Sequence, residues 1–147
     1  MEGNNVEIKS KIEAINNTNY WDAQILDIRA NYFGDEVTIY IECDSDERDT
    51  YCWELKYLRC ASVSYETDAG HFVAGSSDKV LWRYEDVKNL RAGQLYGYTG
   101  HTITLMEHNE FLIRCKAILS LITMDIVCQD IEISKVLIAD QGFFWNN

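Results

Sequence analysis

LDIRANYFGDEVTIYIEC, residues 26–43, places an apolar side chain at every second position twice over, with Gly34-Asp35 between the two runs. Leu26, Ile28, Ala30 and Tyr32 alternate with Asp27, Arg29 and Asn31; Val37, Ile39, Ile41 and Cys43 then resume the same period. Successive side chains of an extended chain point to opposite faces, so a period of two predicts a half-buried strand. Two such runs joined through a glycine-containing turn predict an antiparallel hairpin. The rest of the chain must fit around a sheet.

Downstream the period persists. Tyr51, Trp53, Leu55 and Tyr57 face one way, and Cys52, Glu54 and Lys56 the other. Ala61, Val63 and Tyr65 continue the first face beyond an exception at Arg59, which predicts a bend or bulge near Leu58-Arg59. Residues 101–107, 110–119, 121–128 and 130–138 read as further strands, with a turn at His108-Asn109. Ile8, Ile12 and Ile15 fall at i, i+4 and i+7, which predicts a short amphipathic helix over 5–16. A second helix over 79–91 would be capped by Asp78 and closed by Gly93, with Val80, Tyr84, Val87 and Leu90 on one face. The aromatic tail, GFFWNN, is expected to dock on the body of the protein. This is an α+β fold, mainly antiparallel sheet, of about seven strands and two helices. Leu26, Ile28, Ile39, Ile41, Trp53, Leu55, Ile122, Met124 and Ile126 form the expected core.

The length of 147 residues fits a single domain, 1–147, and 47% apolar with 25% charged residues is a core-forming composition. No run approaches the roughly 18 apolar residues of a membrane span. The start, MEGNNVEIKSKIEA, lacks the basic and apolar blocks of a secretory signal. Five cysteines (43, 52, 60, 115 and 128), odd in number and without CxxC spacing, point to free thiols and a cytoplasmic location. Proline is absent altogether, so no proline-rich linker divides the chain.

The net charge is −11, from 24 acidic and 13 basic residues. Such a surface repels nucleic acid, and no basic cluster offsets it. The charge is also concentrated. Residues 35–54 hold eight carboxylates (35, 36, 42, 44, 46, 47, 49 and 54) against the single base Arg48, which is seven of the eleven net negative charges. Asp44, Asp46, Glu47 and Asp49 with Tyr51 and Glu54 therefore form a candidate surface for a basic protein partner. Tyr96 and Tyr98, beside polar and glycine residues, are candidate aromatic anchors of the same kind. Solvated charges that blunt a strand connection would produce the same local pattern.

Catalytic and metal signatures are missing. Read as a calcium loop, residues 44–55 place Arg48 at a ligand position, Asp49 where glycine must turn the chain, and Leu55 at the closing carboxylate. His71, His101 and His108 form no HxxxH pair, and Gly93, Gly97 and Gly100 lead into a strand with no following Lys-Ser/Thr. No metal, cofactor or catalytic residue is assigned. Three readings stand: a non-enzymatic protein-binding domain, a β domain whose strand aromatics line an apolar ligand pocket, and an enzyme of unrecognised type using a Cys or His.

The stretch NYWDAQILDIRANYFGDEVTIYIE, residues 19–42, resembles the opening of small bacterial immunity-type proteins that neutralise toxins of contact-dependent and polymorphic systems. Trp21-Asp22 matches their Trp-Asp-like start, and Trp53-Glu54 the Trp-Glu segment that follows the second strand. The resemblance covers about the first 65 residues. It implies a toxin-neutralising protein, which agrees with the small, acidic, aromatic chain without catalytic signatures read above; acidity of this kind suits the blocking of a basic toxin.

Overall fold

The computed structural model describes residues 2–44, 46–67, 99–120 and 122–145. A helix, α1 (Glu2–Asn16), precedes strands β1 (Ile25–Asn31), β2 (Glu36–Glu42), β3 (Tyr51–Thr67), β4 (Gly100–Glu107), β5 (Ile113–Leu119) and β6 (Ile122–Leu137). All six strands lie in one sheet, in the order β1-β2-β3-β6-β5-β4, and every neighbouring pair is antiparallel. The mainly antiparallel architecture is thus the one the period-two runs predict.

The spine is the pairing of the two long strands, from Tyr51↔Leu137 to Thr67↔Ile122. Each long strand has a different second neighbour. β2 covers β3 from Cys52 to Leu58, while β5 covers β6 from Thr123 to Cys128. The hairpin β1–β2 and the hairpin β4–β5 therefore flank opposite halves of the spine.

The sequence predicts about seven strands and two helices; the described residues hold six strands and one α-helix. Residues 121–128 and 130–138 were expected as two strands and are one, because both halves pair with the single strand β3. The buried positions Ile122, Met124, Ile126 and Cys128 change phase to Ile131 across Gln129-Asp130, and that change mimics a break. The partner strand kinks at the same level: Arg59 has φ 51°, and the register slips between Cys60 and Ser62. This is the bulge that the phase exception at Arg59 predicts. The second helix, expected over 79–91, lies outside the described residues.

Two apolar clusters hold the sheet. The larger joins Ile15 of α1 to Ile39, Ile41, Leu55, Tyr57, Met124 and Ile126 among others, with Ile28 and Trp53 partly buried at its margin. The second lies on the opposite face and comprises Leu26, Tyr40, Cys52, Ile138 and Phe143. Leu26 and Ile28 were expected on one face; a bulge between Ile25 and Asp27 sends Ile25 and Ile28 to the larger core and Leu26 to the second. The aromatic tail covers that second face, as its composition suggests. Phe143 meets Tyr40 edge-on at 5.0 Å and stacks on Trp145 at 5.1 Å. Arg29 lies over both the Tyr40 and Phe143 rings and donates from its guanidinium to the Gln141 carbonyl at 2.7 Å.

The sheet also curls. The chain just before β1 meets the first residues of β4, at the far edge of the strand order, through bridges Trp21↔Gly100 and Gln24↔Thr99. Gly100 N–H donates to the Ala23 carbonyl at 2.9 Å, and Asp22 N–H donates to the Gly100 carbonyl at 2.8 Å. A β-carbon on Gly100 would sit 2.1 Å from the Tyr20 carbonyl oxygen, so only glycine permits this closure.

Candidate functional site

The turn between β2 and β3 carries the acidic residues singled out in the sequence. Asp44, Asp46 and Asp49 are exposed, and Glu47 is half-exposed. The turn is tied down rather than loose. Backbone bonds from Glu47 N–H to the Asp44 carbonyl (2.9 Å) and from Tyr51 N–H to the Glu47 carbonyl (2.8 Å) fold it back on itself. The Glu47 carboxylate takes the Lys135 ammonium at 3.0 Å, and Lys135 lies 5.1 Å above the Trp53 ring. Arg48 reaches Glu42 at 3.7 Å. Lys135 and Arg48 are thus held by Glu47 and Glu42, and the exposed Asp44, Asp46 and Asp49 give the outer surface of the turn its negative character.

Tyr51 is half-buried at the start of β3. Glu54 sits elsewhere, on the face covered by the tail. Its carboxylate accepts the Tyr40 hydroxyl at 3.1 Å and lies 3.7 Å from Lys56. Burial and the adjacent Glu54 charge push the Tyr40 phenol up to about 12. Glu42 and Glu54 share one sheet face, and both are largely shielded, with Glu42 accepting from Gln24 N–H at 3.0 Å. Tyr96 and Tyr98 lie outside the described residues.

At the other end of β2, about 20 Å away by strand rise, the β1–β2 turn presents a feature that composition alone does not mark. Tyr32 and Phe33 are exposed, Phe33 completely. Both have left-handed backbones, φ 55° and 60°, ahead of Gly34 at 97°. A non-glycine residue in that region costs about 1–2 kcal/mol, and an exposed aromatic recovers none of it by burial. The turn is nonetheless fixed from two sides. Asp35 N–H donates to the Tyr32 carbonyl at 3.1 Å, and the Asp35 carbonyl accepts from Cys60 N–H, beside the Arg59 kink, at 2.8 Å. Asp35 is exposed next to the ring pair. The sequence signal was two aromatics immediately before Gly34-Asp35, which the alternation pattern absorbed into the strand.

The curled sheet also leaves a cleft of about 340 Å³, lined by Ile25, Ile28, Val37, Val63, Tyr65 and Met124. Asp27, Thr67 and Tyr65 carry the polar side-chain groups at its wall, so it offers few groups to orient a polar ligand.

None of the five cysteines is in a disulfide. Cys115 and Cys128 are inside the larger core, where burial pushes each thiol up to about 12. Burial also raises Cys43 and Cys60. The nucleophile in thiol chemistry is the thiolate, so a raised thiol is a weaker nucleophile at neutral pH than a free one. Cys115 instead donates to the buried Tyr57 hydroxyl at 3.4 Å. Among the described residues, no three His, Cys, Asp or Glu side chains converge as metal ligands do, and no helix is long and apolar enough to cross a membrane.

The family model described as Immunity protein PIM7 matches residues 5–135, from α1 to within β6. The crystal structure of an uncharacterized protein from Neisseria gonorrhoeae superposes with a TM-score of 0.50 at 13% sequence identity, covering 78% of this chain and 92% of that one. At that identity the likeness is of fold alone. No curated protein sequence matches the chain.

Proposed function

Because the chain belongs to the Immunity protein PIM7 family, we propose that it is a non-enzymatic inhibitor that binds a toxin of basic character in the cytoplasm. The observation that carries the reading is the family match over residues 5–135. The chemistry agrees. A net charge of −11 accelerates encounter with a cationic protein and lifts association above the uncharged rate. Asp44, Asp46 and Asp49 in the β2–β3 turn, with Glu47 and Tyr51 beside them, supply the steering rim. Glu54 contributes to the field from the tail-covered face, and Tyr96 and Tyr98 remain candidate anchors. Blocking a toxin by occupying its surface asks for a rigid shape and a complementary charge; it requires neither an activated nucleophile nor a metal.

The test is survival. Basic toxin domains of polymorphic and contact-dependent systems are expressed one at a time in a susceptible cell, with and without the chain. Protection by the chain, together with a stable one-to-one complex of the purified proteins, supports the reading. Continued killing in the presence of folded, abundant chain, and no complex by titration calorimetry, refutes it.

A further inference from the structure

Resting on the immunity reading, we infer that the β1–β2 turn, through Tyr32 and Phe33, is the element that inserts into the toxin and holds the complex, while the acidic turn at the far end of β2 only steers. Four observations converge on it. Two consecutive aromatic residues are exposed at the tip of a hairpin. Both residues keep a left-handed backbone that L side chains avoid. Such strain persists only where surrounding structure enforces it, and it gathers at functional positions. The enforcement is visible: the Asp35 carbonyl is clamped by Cys60 N–H, and β1 pairs with β2 to the last residue before the turn, Asn31↔Glu36. The tip is therefore presented in one conformation and loses little freedom on binding.

The partner chemistry follows from the neighbours. Asp35 is exposed beside the rings and Glu36 follows it. Across the clamp, the Arg59 guanidinium is engaged by the Gln129 side chain. The surface that fits is an apolar pocket, sized for an aromatic ring, with lysine or arginine at its rim. Aromatic anchors seated in a desolvated pocket dominate binding energy, whereas charged rims chiefly alter the association rate. The two ends of β2 have separable roles on this account.

The experiment uses the purified chain and the toxin domain against which it protects in the survival assay. In the double variant Tyr32→Asn, Phe33→Gly, both new residues accept the left-handed backbone, so the fold is kept or stabilised. Affinity is expected to fall about 30-fold or more, mainly through faster dissociation, with the thermal unfolding midpoint unchanged or raised. A Phe33→Leu variant, which keeps an apolar side chain of different shape, is expected to fall in between. If the folded double variant binds within about threefold of the parent chain, the inference is wrong and the immunity reading survives. If the parent chain itself fails to bind or protect, the immunity reading falls, and this inference with it.

Discussion

The indole Nε1 of Trp145 donates to the main-chain carbonyl of Leu26 at 2.8 Å, across 119 positions of sequence. This bond sews the end of the described chain to the first strand, and Phe143 beneath it is 2% exposed. Truncating Phe143 to Ala is expected to destabilise the fold by about 3–5 kcal/mol. Trp145→Phe, which keeps the stack and loses the donor, should cost about 1 kcal/mol. Urea unfolding followed by Trp fluorescence decides it; a Phe143→Ala loss below the Trp145→Phe loss would mean that the tail lies on the sheet without supporting it.

Alkali should unfold the protein through its core. Tyr57 is completely buried with its hydroxyl against the Cys115 thiol, and burial raises both well above their ordinary range. In the folded state these groups keep protons that the unfolded chain has released. The unfolded state then binds fewer protons, and stability falls as pH rises. The contribution is complete below the ordinary thiol value of 9.0 and is lost towards about 12. Cys115 alone is expected to remove on the order of 2 kcal/mol between about pH 9 and 11. Denaturant midpoints across that range should drop, and drop less in Cys115→Ala. A flat profile would contradict the buried positions of these groups.

Gly100→Ala should disrupt the closure between the chain before β1 and the start of β4. The added carbon meets the Tyr20 backbone carbonyl at 2.1 Å, and backbone cannot rotate aside. A loss of about 1–3 kcal/mol or more is expected. Hydrogen exchange should localise it to Asp22 and Gly100, whose amides bond across the junction. Unchanged protection at both amides would rule this out.

Reversing Asp46 and Asp49 to Lys should slow association with the toxin domain, most strongly at low salt, where the screening length grows to about 30 Å at 0.01 M. Dissociation should be little altered. Stability should stay within about 0.5 kcal/mol, because both side chains are exposed. An association rate that ignores both the reversal and the salt would reduce the acidic turn to a solvated connection.

Much of the architecture was legible because it rests on local geometry. The alternation in residues 26–43 marked a hairpin, and β1 and β2 pair from Ala30↔Val37 through Ile28↔Ile39. The phase exception at Arg59 marked the kink, Ile8, Ile12 and Ile15 marked α1, and the tail's aromatics marked a docking segment. Each signal depends on where neighbouring side chains point along one segment, which is a property of the backbone period. The acidity of the β2–β3 turn was equally plain, since charge is carried by composition.

What the tertiary structure alone decided depends on residues far apart in the chain. The unity of β6 across Gln129 follows from its continuous partner β3, not from its own pattern. The reversal of Leu26 to the second core follows from a bulge against β2 and from a tail more than a hundred residues away. The engagement of Glu54 by Tyr40 withdraws a carboxylate that composition counts as solvent-facing. The exposed, left-handed Tyr32 and Phe33 are the clearest case. An aromatic pair next to Gly34 reads as the end of a buried strand, since local preference disfavours positive φ for such residues. Beside the local bond from Asp35 N–H to the Tyr32 carbonyl, the closure of β1 on β2 and the clamp from Cys60 to Asp35 hold them in that conformation, contacts that no single segment contains.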